Sequence, residues 1–284
     1  MRSGQRGIAS RRLSAGASRR SSGKLTSTLV ARLTLNPILK VLSSIRVHRV
    51  RALLMGGQAC VFYGAAEFSR DTDLAILASS ENLARLNKAL KELQAEVIAV
   101  PPFEAKYLRK GHAVHFRCHH AEAAGMRVDV MTKMRGVDSF PKLWTRRTTI
   151  PVGETALELM SLPDLVQAKK TQRDKDWPML RRLVEVNYFA SREHPTRQQI
   201  RFWFLELRTS ELLIELAAAQ NRLPADLIRK RPLLKLVRAG NESVIAAALV
   251  EEEKLESEAD RQYWKPLKRE LESLRHARAS QAKR

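Results

Sequence analysis

Apolar side chains run in short blocks through the first half of the chain and at helical intervals through the second. Ile38, Val41, Leu42 and Ile45 share helical spacing within 38–50, and Pro37 stands near the start, where a helix tolerates proline. Ala52-Leu53-Leu54-Met55 is an apolar run ended by Gly56-Gly57, the pattern of a buried strand entering a tight turn. A short helix is expected over 58–63, stopped near Gly64, then a strand over 72–77. Leu83, Leu86, Leu90 and Leu93 fall on one side of a helix over 81–93. Further strands are expected at 97–100, 113–118 and 127–131, the last two joined by a polar loop with His119 and His120.

From Leu157 the rhythm becomes helical. Ser161-Leu162-Pro163-Asp164 has the spacing of a capping box at a helix start. Helices are expected over 165–170, 176–188, 197–207, 210–220, 225–229 and 242–259, followed by a basic stretch from Lys265. The class is therefore α/β, with a strand-rich unit over 25–150 and a helical C-terminal domain over 151–284.

The chain has 284 residues and a net charge of +21, from 51 basic and 30 acidic side chains. Apolar residues make up 44%, which fits a chain with a real core and excludes collagen or disorder throughout. The charge is uneven: twelve basic residues precede the first acid, Glu67, and the remaining 218 carry only +9. Residues 1–24 are rich in Arg, Ser and Gly, and are expected to be a disordered basic tail or the product of a start placed too far upstream. Their composition also resembles a mitochondrial transit peptide, but they lack an apolar face. Cys60 and Cys118 have no CxxC company, and no apolar run approaches a membrane span. The expectation is a cytoplasmic protein without membrane contact.

Asp71 and Asp73 leave one face of a strand, about 7 Å apart. Two like charges so placed make sense with a divalent cation between them, and hard oxygen donors suit magnesium or manganese. Asp129 stands in the apolar run Val128-Asp129-Val130-Met131, where a lone carboxylate is costly unless paired or metal-bound. Strand pairing would make it the third ligand of a two-metal phosphoryl-transfer site. Gly56-Gly57, between a strand and a helix, would let a phosphate chain approach the backbone. Each piece alone has a plain reading as a turn or an edge residue; their joint order is far more specific.

In these motifs the chain resembles the nucleotidyltransferase superfamily, and within it the AbiEii-type toxin-like and minimal nucleotidyltransferase branches. The resemblance is carried by Leu54-Met55-Gly56-Gly57-Gln58-Ala59, Asp71-Thr72-Asp73-Leu74 and Arg127-Val128-Asp129-Val130, and by Leu162 to Lys170 with Arg173-Asp174-Lys175-Asp176. It covers about residues 38–190 and implies a mixed sheet core flanked by helices, with metals on Asp71, Asp73 and Asp129. The implied reaction moves a nucleoside monophosphate from an NTP, ATP among them, to RNA such as a tRNA end or to a protein hydroxyl. It also implies a place in a toxin–antitoxin system, with a cognate antitoxin as partner. Relatives often carry Arg four residues before the first Asp of the motif; Glu67 stands there, with Arg70 directly beside Asp71.

Lys169, Arg173 and Asp176 fall at i, i+4 and i+7, one face if the segment is a single helix. Lys169 and Arg173 would bind the triphosphate, and Asp176 would orient Lys169 or hold a nucleophile. The alternative is a solvated face of intrahelical ion pairs. His115, His119 and His120 are expected in solvent, Cys118 lacks a base partner, and Trp144, Trp177, Trp203 and Trp264 are expected in core or inter-helix packing. The clusters Arg146-Arg147, Arg181-Arg182, Lys230-Arg231 and Lys265 to Lys268 could track an RNA backbone. Two other readings stand beside the transferase: a catalytically inactive nucleotide- or RNA-binding regulatory or antitoxin-like protein, and a hydrolase using the same metal site.

Overall fold

The computed structural model describes residues 37–152, 155–220 and 223–282. The basic tail expected over 1–24 lies outside them. The elements run α1 (Pro37–Val47), β1 (Ala52–Met55), α2 (Gly56–Phe62), β2 (Asp71–Ile76), α3 (Ser80–Glu92), β3 (Glu96–Val97), α4 (Ala105–Lys110), β4 (Val114–Arg117) and β5 (Arg127–Met131). After them come α5 (Phe140–Thr145), β6 (Thr148–Val152), β7 (Thr155–Leu159), α6 (Leu162–Ala168), α7 (Asp176–Ser191), α8 (Arg197–Glu206), α9 (Ser210–Ala218), α10 (Ala225–Lys230), α11 (Leu234–Val237) and α12 (Glu242–Ala282). The architecture is α/β: a mixed seven-stranded sheet in the order β3-β4-β5-β2-β1-β7-β6, flanked by helices and continued by a helical C-terminal region.

The sheet is built as the alternation of its strands demands. In β5, Val128 and Val130 are buried while Arg127, Asp129 and Met131 look the other way. In β4, Val114 and Phe116 are buried and His115 and Arg117 alternate with them. Central β1 is buried along its whole length, as an apolar run with no alternation requires. β2 lies antiparallel to β1 and parallel to β5, so both of its neighbours fix its register.

Three segments depart from the sequence expectation, the first being the strand expected over 97–100, which is confined to Glu96–Val97. The sheet does not end near residue 150, because β6 and β7 form a hairpin whose second strand pairs parallel with β1. Leu157, read as the start of the helical rhythm, lies in β7; Leu157 and Leu159 alternate with Glu158, a strand period too short to separate from the helix that follows. The basic stretch from Lys265 is not a separate tail but the second half of α12, which passes through Pro266 on its exposed side. Helices α4 and α5, each of six residues, had no sequence expectation. Of the expected capping box one half forms: the Ser161 hydroxyl accepts from the Asp164 N–H. The Asp164 carboxylate accepts from the Ser161 hydroxyl and from Nε and Nη2 of Arg146 at 2.7 and 2.6 Å instead of reaching back to the Ser161 N–H.

Two polar groups dock the helices that cover the sheet. Buried Asn82 of α3 accepts from the Arg51 N–H at 2.7 Å and donates to the carbonyls of Arg51 and Leu77, fully satisfying its amide beside the start of β1. Glu92, at the other end of α3, accepts from Lys40, Ser44 and His48 of α1 and its exit at 2.7, 2.8 and 2.9 Å. The Lys40 ammonium, foremost among these partners, holds the Glu92 carboxyl down at about 2. A depressed carboxylate contributes stability above its unfolded pKa and loses it as pH falls through the folded one. Glu92→Gln should therefore cost about 1–2 kcal/mol at pH 7, after discounting for its partial exposure. The difference from wild type, read by urea denaturation, should shrink steadily between pH 4.5 and 2. A cost that stays constant over that range would remove the charge from the explanation.

Candidate active site

The register of β2 and β5 decides what meets in the middle of the sheet. Asp71 pairs with Arg127 and Asp73 with Asp129, while His115 of β4 pairs with Asp129 from the far side. Residues paired across neighbouring strands share a face, and strands lie about 4.8 Å apart. One row across the sheet therefore reads His115, Asp129, Asp73, Met55, and the next reads Arg117, Arg127, Asp71. Asp71, Asp73 and Asp129 thus share one sheet face with His115 and Arg127, neither of which the sequence reading placed in the site.

Asp73 sits hardest against its surroundings. Burial first, and then the charge of Asp129, push its carboxyl up to about 6, against the easing influence of Lys169 and the Gly57 N–H. The turn after β1 makes this position possible. Gly56 has φ +65°, and a Cβ there would lie 1.8 Å from the Asp73 Oδ2. A Cβ on Gly57 would come within 2.5 Å of the Ser69 hydroxyl. The glycines thus admit the carboxylate of Asp73 and the loop before it, a role in packing that the phosphate expectation did not include.

Asp129 is compensated differently. Arg127 grips it with Nε at 2.8 Å and Nη2 at 2.9 Å, and the His115 Nδ1 lies 2.9 Å from the same carboxylate. Burial raises this carboxyl, but hydrogen bonds from His115 and Arg127 outweigh it and hold the group below its ordinary value. His115 was expected in solvent with His119 and His120. Alternation along β4 turns it toward Asp129, while His119 stays half exposed. Among the described residues, no group of three or more His, Cys, Asp or Glu side chains converges as it would around a bound ion. Arg127's grip is the evident reason for Asp129. The side-chain carboxylate of Asp71 has no ion-pair or hydrogen-bond partner among the described residues.

Lys169, Arg173 and Asp176 meet, but not on one helix. α6 ends at Ala168, with Lys169 as its cap, and α7 begins at Asp176; the chain turns between them. Asp176, buried in the first turn of α7, accepts from Lys169 at 3.1 Å, from Arg173 at 2.7 Å and from Thr171 at 2.6 Å. Those cations hold it ionised below its ordinary value against the cost of burial. Its oxygens are spent, so Asp176 positions Lys169 and Arg173 and is not free to hold a nucleophile. The Trp177 indole N–H donates to the Thr171 carbonyl at 3.0 Å and pins the same turn.

These groups line one cavity of about 540 Å³, a volume typical of small-molecule sites. Its acidic floor is Asp71, Asp73 and Asp129; Lys169, Arg173 and Lys175 stand along one side, and α12 closes another with Asp260, Trp264, Lys268 and Leu271. Several residues offered to RNA by the sequence are occupied elsewhere. Arg146 is bound to Asp164 and Asp138, Arg147 to Glu158, and buried Arg231 to Glu252 and two carbonyls. Both cysteines are buried, and burial drives the Cys118 thiol up to about 11, which removes it as a nucleophile. Among the described residues no helix is long and apolar enough to cross a membrane.

No family model matches the chain, and no curated protein does. Among solved structures the fold is similar to an antigenic nucleotidyltransferase-like protein from Paracoccidioides brasiliensis. That similarity spans 76% of this chain and 93% of that one, at 17% identity and a TM-score of 0.35; the site's chemistry rests on its own geometry.

The position of Asp73 has a measurable sign. Its carboxyl is raised, so the folded state favours the protonated form and loses stability as pH rises toward and beyond 6. In chelator at pH 8, Asp73→Asn should melt several degrees above wild type, and the gap should narrow as pH falls through 6 and close only below about 4, the ordinary carboxylate value. A variant that melts no higher at pH 8 would contradict the burial account.

Proposed function

We propose that this chain is a metal-dependent nucleotidyltransferase that moves a nucleoside monophosphate from an NTP to a macromolecular hydroxyl. One observation carries the reading: Asp71, Asp73 and Asp129 share one sheet face at the floor of a cavity bordered by Lys169, Arg173, Lys175 and Lys268. An acidic floor under a cationic border suits a triphosphate held through metal on one side and direct ion pairing on the other. The donor set fits a hard divalent cation such as magnesium or manganese, since all three groups are oxygen donors and Asp73 is strained by its neighbours' charge. Asp71 and Asp73 would hold the cation, joined by Asp129 once Arg127 yields it. When bound, the ion supplies Lewis acidity at the α-phosphate and offsets the charge that develops there.

The chain's own residues account for the remaining work. The acceptor oxygen forms a bond to the α-phosphorus as the bond from that phosphorus to the bridging oxygen breaks, and pyrophosphate departs. Lys169, held by Asp176, faces the leaving group with Arg173 beside it and neutralises its growing charge. Asp129, ionised at neutral pH, is assigned to the proton of the acceptor hydroxyl once Arg127 releases its oxygens. Gly56 and Gly57 line the cavity and keep side chains out of the phosphate path. The acceptor is RNA such as a tRNA end, or a protein; a toxin role with a cognate antitoxin belongs to the same reading.

A second reading has an observation of its own. Arg127 takes both oxygens of Asp129, as a permanent counter-ion would in a binding protein that has no need of metal. The two separate cleanly. Purified chain with α-labelled NTPs, magnesium, tRNA and cell extract should label RNA or protein, and Asp71→Ala should abolish that label. RNA binding that persists in chelator and ignores NTP, with no label transferred, would establish the binding protein instead.

A further inference from the structure

The wall opposite the carboxylates comes from a part of the chain that the family resemblance does not reach. Asp260, Trp264, Lys268 and Leu271 of α12 face the cavity, at spacings of four, four and three that form one stripe along a helix. Trp264 supplies the one aromatic ring among the cavity residues apart from His112 and His115. Of the four tryptophans, expected in core or inter-helix packing, it is the one that lines the cavity. Trp203 is buried and donates to Asn187, Trp177 is buried and donates to Thr171, and Trp144 lies beneath Arg147 at 4.3 Å and beside Phe140. Trp264 is partly exposed, has an edge-on contact with Tyr263 at 5.5 Å, and its indole N–H has no hydrogen-bond partner among the described residues.

Two neighbours make the wall suited to a ligand. Lys268, one turn further on, donates to the Gln172 side chain at 2.9 Å and has no carboxylate partner among the described residues. His112 is fully buried in the same lining. Its Nε2 meets Glu270 of α12 at 3.0 Å, while its Nδ1 has no partner. A carboxylate on Nε2 fixes the proton there and leaves Nδ1 as an unmet acceptor.

We infer that α12 supplies the nucleobase side of the site: Trp264 stacks on the base of the bound nucleotide, and Lys268 reaches its phosphates. This rests on the nucleotide reading above and adds to it that the C-terminal region is part of the substrate site. Stacking on an aromatic ring serves every base, so Trp264 sets affinity for the nucleoside part without choosing among bases. Lys268, bound to Gln172 in the turn between Lys169 and Arg173, serves the phosphates together with those cations.

The full-length protein with magnesium would be titrated with ATP and with inorganic triphosphate by calorimetry, and its tryptophan fluorescence followed. Trp264→Ala should weaken ATP about 10-fold or more and leave triphosphate unchanged. Trp264→Phe, which keeps a stacking face and guards against misfolding, should bind ATP within about threefold of wild type. It should also lose the part of the ATP-induced quenching that Trp264 provides. Equal weakening of ATP and triphosphate by Trp264→Ala, or ATP binding and quenching unchanged in both variants, would overturn the inference while leaving the nucleotide site standing. A wild-type chain that binds neither ligand would overturn both.

Discussion

Everything around the centre of the sheet answers one electrostatic problem: three carboxylates on one face at strand spacing. The pairing of β2 with β5 leaves no freedom, because a one-residue slip would send Asp73 and Asp129 into the core and turn Leu74 and Val130 out. With the register set, compensation must come from elsewhere. Asp129 receives a guanidinium and an imidazole from its own sheet, whereas Asp73 receives a backbone N–H and the more distant Lys169. Asp71 has no hydrogen-bond or ion-pair partner among the described residues and faces only at longer range the charge of its cross-strand neighbour Arg127. The gradient from fully compensated to uncompensated runs along the floor toward the cavity, where a cation would finish the neutralisation.

That gradient explains which parts of the site were legible in the sequence. Asp71, Asp73 and Asp129 announce themselves because a carboxylate in an apolar strand is costly and therefore conspicuous. Gly56-Gly57 does so because only glycine fits the turn. His115 and Arg127 gave no comparable signal: a polar residue in an alternating strand is what any half-exposed face shows, and only the register brings them onto Asp129. Period two marks Arg127 and Asp129 as residues of one face, a signal that could have found the arginine. The cluster of Lys169, Arg173 and Asp176 was found by a period that does not apply, since a turn brings together what a helix was expected to align.

The fold shows the same division. Strands β1, β2, β4 and β5 and helix α3 follow from apolar patterns that one face or two must bury. The β6–β7 hairpin was hidden because its five-residue strands lead within two residues into α6, and a short alternation is swallowed by the helical rhythm beyond it. The length of α12 was hidden because its second half lies against the α/β unit through Glu270 and Lys268 on a largely exposed, charged sequence. Leu267 is buried in that contact, near Gly111, but a single leucine in a charged run does not mark it.

α12 also determines how far the molecule can be divided. Glu252 takes Arg208 and Arg231, Glu256 and Asp260 take Arg135, and Asp260 accepts from the Gln172 N–H in the turn that carries Arg173. All three guanidiniums are largely buried, and such a charge stripped of its partner destabilises a fold by about 3–5 kcal/mol. Arg135 is the one of the three that falls within residues 38–190, where the sequence likeness ends, so that segment does not stand without α12. The counter-charge that lets Arg135 stay buried lies 121 residues further along the chain, so any exchange that carries one half without the other leaves that guanidinium unpaired.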